Sequence, residues 1–317
     1  MHPENTTDPQ PLDLAEPGDD RPDRYEALTR IRLEEPDAVL RAARARRRHP
    51  GLVYGQQNFI IAADHAARGA LSVKSDRMAM GDRRVLLDRL RIALANPKVD
   101  GVLASPDLLD DLLLTGALEG KLIFGSMNRG GLPGLVNEID DRFTGHTARA
   151  LAEIDADGGK MLTRIAFDSQ HTTSALEASA QAIDSLHELG LIAMVEPFLS
   201  TASGDRVVNR LDADAVITSV AIAQGLGARS ARTWMKLPVV EDMERVMAAT
   251  TLPTVLLGGE PSGRTEEALQ SWQAALALPG VQGLTVGRTL LYPDDGNVEA
   301  AVEAAASLLN DHSEENS

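Results

Sequence analysis

Thr254-Val255-Leu256-Leu257-Gly258-Gly259-Glu260 is a short apolar run that stops at paired glycines. An amphipathic stretch over 264–278 follows, and then a second apolar run, Gly283-Leu284-Thr285-Val286-Gly287-Arg288. Short apolar runs bounded by glycine read as buried strands, and the stretch between them has helical length and period. The alternation extends back through the chain. Strand-like runs occur at Asn58–Ala63, Gly101–Ala104, Lys121–Gly125, Met161–Phe167, Leu191–Val195 and Arg232–Met235, which with the two quoted makes eight. Helical stretches fall at 82–95, 173–189, 241–250 and 297–309, and Thr172 and Thr173 suit a helix start as Gly190 suits its end. Buried-type strands separated by helices predict a parallel sheet, and eight is the number that closes into a (β/α)8 barrel. An open doubly wound sheet is the alternative, but its Gly-rich first turn is missing.

Outward from this core, the sequence predicts a disordered tail over 1–24, a single barrel domain over 25–310 and a solvated end over 311–317. Residues 25–48 read as an extra helix before the first strand, placed as a lid on the barrel bottom. Its tract Arg41-Ala42-Ala43-Arg44-Ala45-Arg46-Arg47-Arg48 reads as a solvated or interface face, because the chain as a whole carries a net charge of −16. Such acidity argues against nucleic acid and anionic membrane as partners. No apolar run is long enough to span a bilayer, and no secretory signal pattern opens the chain. The absence of cysteine excludes disulfides, thiolate catalysis and Cys-based zinc sites, and the expected compartment is the cytoplasm. A homo-oligomer stays open.

In such barrels the chemistry sits where strands end and the following loops begin. Read that way, Asp64 and His65 end the first strand, Ser105 the second, Ser126 and Asn128 the third. Arg164 and Asp168 lie near the end of the fourth, Glu196 ends the fifth and Lys236 the sixth. Lysine is scarce: of 31 basic residues only Lys74, Lys98, Lys121, Lys160 and Lys236 are lysines. Lys98, Lys121 and Lys160 precede their strands and are expected at the barrel bottom; Lys74 follows the first strand. Lys236, in Trp234-Met235-Lys236-Leu237-Pro238, is the one at a strand exit, flanked by apolar residues. Desolvation there lowers an amine's pKa, and a neutral amine can attack a carbonyl to form an imine. It can equally snorkel outward or pair with Glu196. Glu196, one strand away, is placed to move protons for a Lys236 adduct or to form a structural ion pair. Arg164 needs an anionic partner, either a substrate or a carboxylate. Asp64 is a hydroxyl ligand and proton shuttle or a turn cap, and His65 a substrate contact or a satisfied loop histidine.

Gly258 and Gly259 after the seventh strand and Gly287 and Arg288 after the eighth stand where barrel enzymes bind phosphate, with residues 288–292 as the short extra helix. No metal is expected, since the histidines share no ligand spacing. Gly225-Leu226-Gly227 lacks the third glycine of a dinucleotide fingerprint.

With these residues in place, the chain resembles the class I aldolases of the deoxyribose-phosphate and tagatose-bisphosphate aldolase superfamily, over most of its length. The resemblance rests on Ala62-Ala63-Asp64-His65-Ala66-Ala67-Arg68-Gly69, the Glu196 strand end, Trp234-Met235-Lys236-Leu237-Pro238, Gly258-Gly259 and Gly287-Arg288. It implies a Schiff-base lysine at Lys236, an acid/base glutamate at Glu196, and substrate or phosphate contacts at Asp64, Gly258, Gly259, Gly287 and Arg288. Two departures bear on the substrate. Arg164 is read as standing where tagatose-type enzymes carry a strand-four lysine, and the Lys-Thr-Ser-Thr-Gly signature of deoxyribose-phosphate aldolases is absent. The chain looks closest to an aldolase-like group associated with inositol breakdown, which implies 2-deoxy-5-keto-gluconate 6-phosphate as substrate.

The expectation is therefore a cofactor-free lyase that cleaves a ketose phosphate through Lys236, with Glu196 and Asp64 moving protons. Arg164, His65, Gly258, Gly259, Gly287 and Arg288 are expected to hold the substrate. A sugar-phosphate isomerase or epimerase with Glu196 as base, and a non-catalytic sugar-phosphate-binding barrel, are the rival readings.

Overall fold

The computed structural model describes residues 17, 21, 23–128, 132, 135, 138–203, 206–258 and 265–309. Apart from residues 17, 21, 23 and 24, the tails expected over 1–24 and 311–317 lie outside these residues.

All eight expected strands form. They are β1 (Asn58–Ala62), β2 (Gly101–Ala104), β3 (Leu122–Ser126), β4 (Gly158–Ile165), β5 (Ile192–Ser203), β7 (Thr233–Pro238), β8 (Thr254–Leu257) and β9 (Val281–Val286). Each pairs in parallel with its neighbours around a ring, β1 lying between β2 and β9, and the β4–β5 pairing closes it. The protein is a closed (β/α)8 barrel. One strand was not foreseen: β6 (Arg206–Asn209) runs antiparallel to the far end of β5, so that β5 continues past the barrel rim as a hairpin.

The helices between strands follow from ordinary start signals. Asp82 accepts from the backbone of Arg84 and Val85 to open α3 (Arg83–Ala95), and Asn297 caps α11 (Val298–Ala306). Pro106 stands in the first turn of α4 (Pro106–Leu114), where its missing N–H costs nothing. The N-terminal segment departs from expectation. In place of one helix there are two, α1 (Glu26–Glu34) and α2 (Ala38–Ala45), because Pro36 disfavours helical backbone at Glu35. Nor is the arginine tract only a solvated face. Arg46 is buried and donates to the carbonyls of Lys121 (3.2 Å) and Asp155 (2.7 Å), just ahead of β3 and β4. The tract thus anchors to the barrel bottom, while α1 lies against α3 and α4 through Tyr25–Asp88 (2.7 Å) and Arg32–Asp111 (2.6 Å).

Alternation of side chains along each strand sorts the core into two. Phe59 and Ile61 face the helices, whereas Ile60 and Ala62 join Leu103, Leu122, Phe124, Ile192, Met194, Trp234 and Val255 in an apolar plug inside the barrel. Continuing the same parity upward from this plug gives Asp64, Ser126, Glu196 and Lys236. It also gives Lys160, two residues past Gly158 at the start of β4. Lys160 therefore does not precede its strand or sit at the barrel bottom, as expected from sequence, but points inward from β4. The misreading came from Gly158-Gly159, which resemble a turn. They are strand residues: a Cβ on Gly158 would meet Ile192 O at 2.5 Å and the Phe124 ring at 2.8 Å. Glycine is what lets β3, β4 and β5 close together here.

Candidate active site

Directly above the plug, four ionisable side chains form one buried chain of contacts. Asp64 Oδ2 accepts from Lys160 Nζ at 3.0 Å. Lys160 Nζ also lies 2.6 Å from Glu196 Oε2, and that same oxygen accepts from Lys236 Nζ at 3.0 Å. Ser126 Oγ stands 3.4 Å from Asp64 Oδ2 and 2.9 Å from the Asn128 carbonyl. The structure thus brings together Asp64, Glu196 and Lys236, and adds Lys160. Lys236 lies within β7 rather than at its exit, and its partner is Glu196.

Burial and charge set the protonation of this cluster. For Lys236, burial dominates and pushes the ammonium below the ordinary lysine value; Glu196 opposes this and Lys160 adds to it. Burial also pulls Lys160 down, but Asp64 and Glu196 together outweigh it, so Lys160 is raised and stays an ammonium. Glu196, against the pull of burial, is held down at about 2 by Lys160 and Lys236. Asp64 is likewise held well below the carboxylate range, chiefly by Lys160. Two carboxylates, one ammonium and one amine biased toward neutrality make a site equipped for nucleophilic attack on a carbonyl with a proton donor beside it.

His65 follows Asp64, its Nδ1 3.8 Å from Asp64 Oδ1. Burial holds its pKa at about 3 despite Asp64, with Arg68, Arg288 and Lys236 adding to the depression, so the ring is neutral. Its ring lies against Gly287: a Cβ there would approach His65 Cε1 to 3.1 Å and collide with Ala62 O. A Cβ on Gly258 would meet Val286 at 2.5 Å. Both glycines are thus demanded by strand packing at the rim, whatever else they do. Gly259 lies outside the described residues. Arg288 opens the short α10 (Arg288–Leu291) foreseen after the eighth barrel strand, and its Nη1 reaches the Ser72 carbonyl at 3.3 Å.

Arg164 does not join the cluster. It forms a buried pair with Glu138, from the segment after β3; of the two basic residues on β4, only Lys160 reaches the cluster. Ser105 and Asn128 have local tasks. Ser105 Oγ donates to Asp107 at 2.6 Å, and the Asn128 side chain bonds the Leu162 backbone in both directions, at 2.8 and 2.9 Å. Among the described residues no three His, Asp or Glu side chains are grouped to hold a metal ion, and no helix is long and apolar enough to cross a membrane.

A family model described as Cgl0159-like matches residues 56–306, from just before β1 to the last residue of α11. The chain belongs to the Cgl0159-like family. Among solved structures, Cgl0159 from Corynebacterium glutamicum is 51% identical, covering 91% of this chain and 97% of its own, with a TM-score of 0.88. An archaeal fructose 1,6-bisphosphate aldolase superposes with a TM-score of 0.59 at 18% identity, covering 81% of this chain and 95% of its own. A Schiff-base-forming fructose-1,6-bisphosphate aldolase gives 0.58 at 18% identity, over 82% of this chain and 96% of its own. At such identity the aldolases share the family's barrel, and the likeness shows fold alone. No curated protein matches the chain.

Proposed function

We propose that the protein is a class I aldolase that cleaves a ketose phosphate through a Schiff base on Lys236. The observation that carries this reading is the pair of buried lysines on one carboxylate oxygen: Lys236 depressed toward the free amine, Lys160 retained as ammonium, both within 3.0 Å of Glu196 Oε2. The barrel shared with Schiff-base-forming aldolases supports it.

The Lys236 amine attacks the substrate ketone, and the oxygen takes a proton from the neighbouring ammonium of Lys160 as the carbinolamine forms. Loss of that oxygen as water leaves an iminium. Glu196 or Asp64 accepts the proton of the hydroxyl borne by the far carbon of the bond to be broken. As the hydroxyl becomes an aldehyde, the bonding pair flows into the iminium to give an enamine. Protonation of the enamine and hydrolysis by water release dihydroxyacetone phosphate and restore Lys236. Gly258, after β8, and Gly287 and Arg288, after β9 beside β1, are the proposed phosphate contacts, with His65 as a neutral hydrogen-bonding group next to Gly287. Gly259 belongs to the same proposal from sequence. Arg164 acts at a distance, by fixing the segment that carries Glu138. The specific substrate we propose is 2-deoxy-5-keto-gluconate 6-phosphate, in inositol catabolism, whose second product is malonic semialdehyde.

Borohydride reduction of the protein in the presence of dihydroxyacetone phosphate tests the reading. Mass spectrometry should find a reduced adduct on Lys236 and none in Lys236→Arg. Wild-type protein left unmodified would refute the imine mechanism.

A further inference from the structure

The residue in this corner with no established task is Arg68. It ends a 3-10 helix, Ala66–Arg68, that begins directly after Asp64 and His65, with the Arg68 N–H bonded to His65 O at 3.2 Å. A 3-10 helix has three residues per turn, so residues three apart eclipse and Arg68 stands over His65 on one face. Gly69 then turns the chain away at φ 74°, a conformation that suits glycine, and its N–H closes on Ala66 O at 3.0 Å. The turn is fixed by its backbone and does not depend on the arginine side chain.

That side chain is half-buried. Its Nε is fully buried with no hydrogen-bond partner, and the guanidinium makes no ion pair among the described residues. Arg46 and Arg164 also leave Nε without a partner, but their other nitrogens are engaged, those of Arg46 on the Lys121 and Asp155 carbonyls and Arg164 Nη1 on Glu138. A buried guanidinium donor without an acceptor is costly unless something anionic arrives to satisfy it. Arg68 acts electrostatically on Asp64, His65 and Lys160, and Arg288 on His65, so both guanidinium groups lie within electrostatic reach of the same imidazole. The charge of the cluster also leaves room. With Lys236 neutral, Asp64, Glu196 and Lys160 sum to one negative charge, and Arg68 more than compensates once Lys236 becomes an iminium.

We propose that Arg68 is a specificity-determining residue that binds the phosphate of the substrate, forming with Arg288 a two-guanidinium clamp at the β1–β9 side of the barrel mouth. The proposal deepens the aldolase reading, since it presumes an anionic substrate, but it makes a separate claim about which residue reads the anion. A planar fork matches phosphate through two parallel hydrogen bonds, and such charge-assisted bonds are the strong ones.

The test is binding of glycerol 3-phosphate, which has no ketone and cannot form an imine. Calorimetry on wild type, Arg68→Gln and Arg68→Lys should show affinity reduced about tenfold or more in the glutamine variant and partly restored by lysine. Equal affinity in wild type and Arg68→Gln, or no binding to wild type, would overturn the proposal. Malonate is the second probe: if Arg68→Gln weakens malonate and leaves glycerol 3-phosphate unchanged, the guanidinium reads a carboxylate and the phosphate clamp is wrong. Borohydride trapping adds a control. Arg68→Gln should lower trapping by dihydroxyacetone phosphate and spare that by dihydroxyacetone; a purely electrostatic influence on Lys236 would alter both alike. Failure of all trapping in wild type would refute the Schiff base while leaving the binding comparison decisive for Arg68.

Discussion

Lys160 and Lys236 share a single acceptor, Oε2 of Glu196, at 2.6 and 3.0 Å, yet their proton affinities are driven in opposite directions. The asymmetry comes from Asp64. Lys160 lies between two carboxylates, whereas Lys236 hydrogen-bonds only one and has an ammonium beside it. The barrel's inward parity produces this, because β4, β5 and β7 and the segment that continues β1 each contribute one inward side chain to the cluster.

The arrangement predicts opposite pH responses from two substitutions. Trapping requires the free amine, so its rate climbs as pH rises through the depressed pKa of Lys236. Lys160→Met removes a cation that lowers that pKa and leaves Glu196 and Asp64 to stabilise the Lys236 ammonium. Its trapping midpoint should move to higher pH. Glu196→Gln removes the carboxylate that supports the ammonium, so its midpoint should move to lower pH, even if the maximal rate falls. Borohydride trapping followed by mass spectrometry across pH gives both midpoints. A shift of the two in the same direction would contradict the assigned protonation states.

His65 predicts a pH dependence of stability. Its native pKa of about 3 lies far below the 6.5 of a free imidazole. Between those values the unfolded chain takes a proton that the native ring refuses, so native stability falls as pH falls from about 6.5 toward 3. One such site contributes a slope of up to about 1.4 kcal/mol per pH unit. His65→Gln should flatten denaturant-measured stability between pH about 6.5 and 4.5 by that much. Buried His146, lowered likewise by desolvation, keeps part of the slope in the variant. An unchanged slope would mean that His65 is not buried neutral.

The barrel was legible because all eight strands are short apolar runs whose burial on both faces leaves a continuous hydrophobic signal. Lys236 and Glu196 were legible from their place beside such runs. Lys160 was not, although it is central to the cluster. The glycines before it resemble a turn, and only the close approach of Phe124 and Ile192 explains them as strand. Arg164 was legible as needing an anion, but which carboxylate it meets was not, for a complementary reason. It shares the parity of Lys160 along β4, but its partner Glu138 comes from the segment between β3 and α5 (Ala148–Glu153), which carries no strand or helix pattern of its own. Arg68 sat inside a quoted motif without a role, since nothing in sequence shows which guanidinium lacks a carboxylate.

The β4 explanation makes its own prediction. Gly158→Ala places a methyl against Ile192 O and the Phe124 ring, so either β3 or β5 must move. Overpacking of this kind costs about 1–3 kcal/mol. Because Lys160 is two residues along, the shift should also reduce trapping on Lys236, whereas Gly190→Ala, far from the mouth at the end of α6 (Thr172–Glu188), should reduce stability without that loss. Parallel denaturation and trapping measurements separate the two effects.

Arg164 and Glu138 are both about nine-tenths buried, so each depends on the other for solvation. Removing one leaves an uncompensated charge in the barrel wall. Arg164→Met or Glu138→Leu alone should therefore destabilise the protein by about 3–5 kcal/mol. The double variant removes the orphaned charge together with its partner and should recover most of that loss, since an apolar pair of similar volume is close to neutral in such a place. A double-mutant cycle by denaturant unfolding measures the coupling. If Arg164 instead bound substrate directly, Arg164→Met would weaken ligand binding with little cost in stability, and the cycle would show no coupling to Glu138. The geometry predicts strong coupling, with ligand affinity in the double variant near that of wild type, because Arg164 meets a carboxylate of its own chain.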